Sequence, residues 1–279
     1  MLTPSPTFQD YARDTCQVLA QIGDYNELLS DEWRDWLTAA RTNAEQLGDD
    51  ETGVLALRSA RAAALIAATE SAQAARFDAR LLALTGDELE HLSDQLERQI
   101  GAALGERAIS VAHLESMLDD LRAEARAQLA VDARSTPRHQ QLVADDLTAI
   151  MRIFSDRIEA ILLTLGEAAR GAVGTTIGGL LPLRASHMPP PVDRRCLGDP
   201  DTPLSIDQLI EAVLAPYRAA LIGQVDIVIR GLRSSLQRAR RCRDDGDAAV
   251  RDQAQRLRTS AVELEHLAEQ MDWLPVIGH

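Results

Sequence analysis

The sequence predicts an all-α fold, an elongated bundle of about seven or eight helices, several of them 25 residues or longer. Apolar residues recur at spacings of three and four through most of the chain, which is the period of an amphipathic helix. The 279 residues include only three Phe, three Trp and three Tyr, so the core must be built from Leu, Ile, Val and Ala. Small aliphatic side chains favour the close packing of helix bundles.

Three helices are predicted in the first 84 residues. Ser5-Pro6 resembles a helix start, with a polar cap followed by Pro in the first turn. Ser30 is predicted to cap a second helix, and a third is predicted over about 52–84. Apolar positions in these three helices include Phe8, Tyr11, Leu19, Ile22, Trp33, Trp36, Leu37, Leu57, Ala60, Ala64, Ala68, Ala72 and Ala75.

The next predicted helix covers about 87–133 and has two apolar rows whose phases differ. The phase changes at Gly101–Gly105, where three explanations are open: a stutter in one long helix, a close crossing of two helices, or a turn with Ser110 as a new cap. We favour one continuous helix. The rows are Leu89, Leu92, Leu96 and Ile100, then Val111, Leu114, Leu118, Leu121 and Ala125.

Ser135-Thr136-Pro137 predicts the start of another long helix, with a row of apolar residues from Val143 to Ala172. The Pro-rich stretch 184–204 is predicted to be a connecting loop. Beyond it, Ser205 is expected to cap a helix that continues to about Arg243 and is kinked at Pro216. Asp247 is expected to cap the last helix.

These elements suggest a domain organisation in two helical sections. Residues 1–183 form the predicted N-terminal bundle section and residues 184–204 the linker. Residues 205–279 form the C-terminal helices, which we expect to pack on the first section.

Charge and composition exclude several classes of function. All 29 basic residues are Arg and none is Lys, which excludes a Walker A loop, a protein kinase and pyridoxal-phosphate chemistry. The net charge of −14 and the scarcity of aromatic residues argue against nucleic acid as a partner. The absence of Lys reflects either codon bias or selection against a modifiable amine.

Cysteine content and the N-terminus bear on localisation. Cys16, Cys196 and Cys242 are too few and too widely spaced for a disulfide framework or a zinc site, and they suggest a reducing compartment. The first residues lack a basic region followed by an apolar one, so we expect no secretory signal. With no transmembrane helix recognised, the protein is expected to be cytoplasmic or exported by a route that needs no signal peptide.

The Gly-rich apolar segment 161–183 is one candidate site. It is interpreted either as a buried helix whose glycines allow close packing or as a membrane-seeking hairpin. The residues that carry this prediction are Gly171, Gly174, Ile177, Gly178, Leu180 and Leu181. The layout, with Gly166–Leu183 between long helices, resembles that of cytolysin A-type helical pore-forming toxins. This resemblance implies a membrane-active protein that deploys 161–183.

Two further candidate sites involve charged residues. Glu88-x-x-His91 and Glu263-x-x-His266 share the spacing used by helical di-metal carboxylate enzymes. Their charged residues lie about 100° from the apolar rows, so we predict no metal site and no cofactor. The second candidate is a possible partner or anion patch at Arg230, Arg233, Arg238, Arg240 and Arg241, alternatively a helix end that complements its dipole.

The sequence therefore favours a non-enzymatic interaction protein: a scaffold, an adaptor or a secreted effector that presents long helix faces to a protein partner or to a second copy of itself. A membrane-active protein is the first alternative, and a di-metal carboxylate enzyme is the second. No small-molecule substrate is indicated.

Overall fold

A computed structural model describes residues 7–25, 28–29, 31–46, 51–131, 137–173 and 206–273. These residues form seven α-helices and contain no strand, which confirms the all-α bundle with several long helices. The helices are α1 Phe8–Gly23, α2 Asp31–Ala44, α3 Glu51–Ala83, α4 Gly86–Val131, α5 Pro137–Val173, α6 Ile206–Asp244 and α7 Asp247–Trp273. The predicted loop 184–204 lies outside the described residues, as do the predicted caps Ser30 and Ser205.

Two helices begin with a reciprocal cap made by a Thr and an acid three residues later. At α1, Thr7 Oγ1 accepts the N–H of Asp10 at 3.3 Å, and Asp10 Oδ2 accepts the N–H of Thr7 at 3.0 Å. Thr85 and Glu88 repeat the arrangement at α4. The N-cap of the first helix is thus Thr7 and not Ser5, because Thr7 and Asp10 satisfy first-turn N–H groups reciprocally.

α4 passes through Gly101–Gly105 without interruption, which confirms the predicted continuity. Ser110 is buried inside the helix and caps no new one. A Cβ on Gly101 or on Gly105 would meet no atom within 4 Å, so these glycines do not mark a close helix crossing. The change of phase is therefore a stutter within one helix.

The junction of α6 and α7 depends on a glycine. Gly246 has φ of 97°, a left-handed conformation that Gly adopts without steric cost. Asp247, predicted as the cap of the last helix, is the first residue of α7 and contributes negative charge to its first turn. Pro216 lies inside α6 and has no N–H to donate to the carbonyl of Ala212, and the kink expected there stays a prediction.

The chain divides into two compact units. Unit 1 comprises 1–90, 169–180 and 235–279, and unit 2 comprises 91–168 and 181–234. Both units draw on both of the sections predicted from the sequence, because α4, α5 and α6 each contribute residues to both units.

Unit 1 is held together by an Ala-rich contact between α3 and α7, onto which α1 and α2 pack. Alanine on α3 lets the axis of α7 come close, and the larger side chains of α7 and α1 fill the remaining space. The buried residues of this core include Leu19, Ile22, Leu37, Ala60, Ala64, Ala68, Ala72, Leu264, Leu267, Ala268 and Met271.

Unit 2 contains one buried apolar row from each of α4, α5 and α6. The rows of α4 and α5 fall at positions that the sequence predicted for the core, and the row of α6 has the same period. The rows include Leu96, Ile100, Leu114, Leu118 and Leu121 on α4, then Leu147, Phe154, Ile158 and Leu165 on α5, and Leu214, Leu221, Val225, Val228 and Leu232 on α6.

Candidate interaction surface

Ion pairs at four places along α6 join it to α4 within unit 2 and show that the two helices are antiparallel. Arg126 Nη2 lies 3.0 Å from Asp207 Oδ2, and Arg233 makes two hydrogen bonds of 2.9 and 2.8 Å to the two oxygens of Glu97. Between these ends, Arg218 bonds to Glu115 and Arg107 to Asp226. Along α6 the charges therefore alternate as acid, base, acid, base, and α4 presents the complementary order.

This alternation specifies the alignment of the two helices. Sliding α6 by one ion pair would place like charges opposite each other. Each pair is partly exposed, so each contributes only about 0.2–1 kcal/mol. The ion pairs therefore act on register more than on total stability.

The pairing register between α4 and α6 changes by three residues near Gly101 and Gly105 of α4. From Asp207 to Arg218 on α6 and from Arg126 to Glu115 on α4 the interval is eleven residues, and the next interval is eight on both helices. The last interval is seven residues on α6, from Asp226 to Arg233, but ten on α4, from Arg107 to Glu97. The three additional residues of α4 fall around Gly101–Gly105, so the stutter has a counterpart in the contacts of α6.

α4 and α5 cover two sides of α6. Arg218 and Asp226 of α6 contact α4, and Tyr217, on the other side of the buried row, hydrogen-bonds to Ser155 of α5. Burial raises the pKa of the Tyr217 hydroxyl, which is consistent with a packed contact on this side. The third side of α6 is the one turned away from both of these contacts.

We define the outer face of α6 by six residues that share this third side. Four of them are exposed, and the last two are half-buried: Ala212, Pro216, Ala219, Ala220, Gly223 and Ile227. None carries a charge, and Arg218 and Asp226 are the only charged residues between positions 212 and 229. The outer face is therefore an apolar helix surface in contact with solvent.

The hydropathy of α6 makes this exposure unusual. Within Ile210–Asp244, an 18-residue stretch has a mean hydropathy of 1.5, yet only 28% of that stretch is buried. In length and composition α6 is the one described helix that meets the requirements for crossing a membrane. An apolar helix would ordinarily be mostly buried in its own chain, whereas the helices that the structure describes leave a substantial part of α6 uncovered.

The predicted arginine patch contains residues that already have partners in the chain. Arg233 binds Glu97, Arg240 binds Glu90 through two hydrogen bonds of 2.8 and 2.6 Å, and Arg238 binds Asp78. Arg230 Nε donates to the carbonyl of Asp226 at 3.4 Å. Arg241 is exposed near the end of α6, where a cation complements the helix dipole.

The two Glu-x-x-His pairs occupy outward positions. Glu88 is the capping acid of α4, and this contact lowers its pKa. Glu263 accepts a 2.8 Å hydrogen bond from the hydroxyl of Tyr25, whose pKa is raised to about 12 by burial and by this bond. His91 and His266 are exposed. Among the described residues, no group of three or more His, Cys, Asp or Glu side chains is placed to hold a metal ion.

The Gly-rich segment 161–183 is described only in its first part. Residues 161–173 are helical in α5, and Gly171 is exposed with open space around its Cα. The other five predicted residues, Gly174, Ile177, Gly178, Leu180 and Leu181, lie outside the described residues.

A groove of about 460 Å³ lies between α1 and α2 in unit 1. Leu19, Leu29 and Leu37 form part of its lining, and Arg34 and Arg41 stand beside Asp24 and Glu45. Among the described residues of its lining, cations and acids are equal in number, so these side chains favour neither an anion nor a cation.

Sequence reasoning missed the outer face of α6 and the burial of Glu70 on α3. The signal for the first was present, since only Arg218 interrupts the uncharged run from Ala212 to Val225. Its exposure could not be inferred, because the sequence does not show which sides of α6 face α4 and α5. No pattern in the sequence indicated that Glu70 would be removed from water. In the structure, burial raises its pKa to about 7.

Comparison with protein-family models, with curated proteins and with solved structures finds no match to this chain. The geometry of the outer face of α6 and the charges beside it are therefore the observations that bear on function.

Proposed function

We propose that this chain is a helical interaction protein and that the outer face of α6 binds a helix of a protein partner. The observation that supports the proposal is the 28% burial of an apolar stretch whose mean hydropathy is 1.5. A scaffold, an adaptor and a secreted effector all work through such a surface, and the proposal covers the three roles. The Ala, Gly and Pro side chains would let a partner helix approach near the short end of the usual 8–10 Å range.

The charges of α6 favour a protein partner over a lipid bilayer. Insertion of α6 would separate Arg218 from Glu115 and Asp226 from Arg107. On insertion scales an Arg or Asp near the middle of a spanning helix costs about 2.5–3.5 kcal/mol. Docking of another helix on the outer face leaves both ion pairs in place, because they lie on the side that faces α4.

Photo-crosslinking tests this proposal with a matched control. A photo-reactive amino acid replaces Ala219 on the outer face, or Ala123, which is exposed on α4 next to the charged residues Arg122 and Glu124. In cells that produce the protein, we expect position 219 to form one discrete protein adduct and position 123 to form none. Addition of Ala220→Arg to the position-219 probe should abolish the adduct, since it places a charge on the apolar face.

Two outcomes would contradict the proposal. Adduct patterns that are the same at 219 and 123 would mean that the outer face has no specific protein partner. Lipid adducts at 219, together with dye release from liposomes by the purified protein, would support the membrane-active alternative instead.

A further inference from the structure

We infer that the partner helix carries an aspartate or a glutamate that binds Arg230, at the C-terminal end of the outer face of α6. This inference rests on the proposed function and specifies the chemistry of the partner: a helix that is apolar along most of the contact and acidic at one end. The contact would extend from Ala212 to Arg230, about 27 Å at 1.5 Å per residue.

Arg230 lies in line with the outer face. The interval from Ala212 to Arg230 is about five turns at 3.6 residues per turn, so the two residues point in the same direction from the axis of α6. Gly223 lies between them, about 20° away around the helix. Arg230 is exposed. A helix that packs along the outer face for its whole length therefore also covers Arg230.

The acids of α6 that precede Arg230 lie on a different side of the helix. They are Asp207, Glu211 and Asp226. Asp207 and Asp226 form ion pairs with α4. Glu211 lies about 20° around the helix from Arg218, which also binds α4. The charge that a partner on the outer face meets is therefore that of Arg230, which is positive.

The hydrogen bond described for Arg230 leaves room for a charged partner. A guanidinium has five N–H donors, and Nε of Arg230 donates to the backbone carbonyl of Asp226 at 3.4 Å. This acceptor is neutral, and the carboxylate of Asp226 binds Arg107 of α4 instead. The two Nη atoms can donate in parallel to the two oxygens of a carboxylate.

A partner helix that covers Arg230 removes its guanidinium from water, which costs free energy unless the charge is paired and hydrogen-bonded. An apolar side chain at this level would leave the cation unpaired, and a Lys or Arg would repel it. A carboxylate is the side-chain group that satisfies both requirements. Burial of the apolar surface then drives the contact, and the ion pair selects the partner and its alignment.

The net charge of −14 does not reverse this preference for an acid. At physiological ionic strength, charges separated by more than about 8 Å are largely screened. The group in direct contact with Arg230 therefore counts for more than the total charge of the chain.

Arg98 of α4 provides a matched control. It is exposed, and its Nε donates to the carbonyl of Asp94, four residues earlier, at 3.2 Å. Arg230 makes the same kind of bond to Asp226. Charge reversal at Arg98 therefore changes the net charge and removes an equivalent bond without altering the outer face of α6.

The test uses the full chain with the photo-reactive amino acid at position 219 and measures the yield of the protein adduct. Arg230→Glu should lower the yield about tenfold or more, Arg230→Gln should lower it less, and Arg98→Glu should leave it unchanged. Mass spectrometry identifies the partner and its crosslinked residue. About eleven residues from that residue, at the level of Arg230, the partner should carry an Asp or Glu. Replacement of this acid by Arg should restore the adduct of the Arg230→Glu chain.

The contrary outcomes separate this inference from the proposed function. An adduct that persists in the Arg230→Glu chain would overturn the inference and leave the proposed function standing. A partner without an acid at the level of Arg230, or a charge swap that restores nothing, would have the same meaning, as would equal losses from Arg98→Glu and Arg230→Glu. Absence of any protein adduct at 219 in the otherwise unchanged chain would contradict both. Circular dichroism verifies that each variant remains helical, and Arg230→Gln provides the test if Arg230→Glu does not fold.

Discussion

The indole Nε1 of Trp33 donates a 2.8 Å hydrogen bond to Oε2 of Glu70, which links α2 to α3 inside unit 1. Burial raises the pKa of Glu70 to about 7, and the bond from Trp33 acts in the opposite direction. A carboxyl group in this position changes its charge near neutral pH, because the cost of removing the carboxylate from water exceeds the gain from one hydrogen bond.

Stability should therefore depend on pH through Glu70. The folded pKa is about 7 and the unfolded value about 4.5, so the folded state binds more protons between these values and loses stability as the pH rises through them. Glu70→Gln should stabilise the protein at pH 8 by about 2 kcal/mol and have little effect at pH 4. Urea unfolding at both values measures the difference. An effect of equal size at the two pH values would contradict the assigned pKa.

Asp78 and Arg238 form the most buried ion pair described in unit 1. Nε and Nη2 of Arg238 lie 3.2 and 2.6 Å from Oδ2 of Asp78, whose side chain is only 10% exposed. Arg238→Ala should destabilise the fold by about 2 kcal/mol, because it leaves a buried carboxylate without its cation. Removal of the Arg256 side chain, which forms an exposed ion pair with Asp252, should lower the free energy of unfolding by less than about 0.5 kcal/mol. Denaturant unfolding of the two variants measures both losses of stability. Equal losses would mean that burial does not strengthen the Asp78–Arg238 pair.

Replacement of Gly101 or Gly105 by Ala should stabilise α4 by about 0.5–1 kcal/mol each, since Ala favours the helix and its Cβ meets no atom within 4 Å. Gly246→Ala is the contrasting control. Its φ of 97° disfavours any residue with a Cβ, so this substitution should cost about 1 kcal/mol. Thermal unfolding gives the sign of each change. Destabilisation by Gly101→Ala would indicate that α4 needs flexibility at the stutter.

Thr85→Ala should destabilise the protein by about 1 kcal/mol, because it removes the side-chain half of the reciprocal cap at the start of α4. Thr164 is a suitable control, since its hydroxyl bonds to the carbonyl of Ala160 inside α5 and caps no helix end. Thr164→Ala should change stability by less than about 0.5 kcal/mol. Similar losses for the two variants in urea unfolding would argue against a capping role for Thr85.

The sequence predicted the helices well and the candidate surface poorly. Rows such as Leu114, Leu118 and Leu121 identified core positions because a buried residue recurs with the period of its helix. Glu97, Arg107 and Arg233 had no comparable signal, since a solvated charge and an interhelical pair look alike in one sequence. Glu70 accepts its hydrogen bond from Trp33, which lies 37 residues away in the sequence.

The sequence by itself determined that the described residues form long helices, because periodicity and capping act over a few residues. It also indicated which apolar rows of α4 and α5 would be buried. Only the tertiary structure decided which sides of α6 are covered by α4 and α5, which acids face which arginines, and which apolar face remains in solvent. These are consequences of contacts between residues distant in the chain, whose energies depend on geometry that no local pattern encodes.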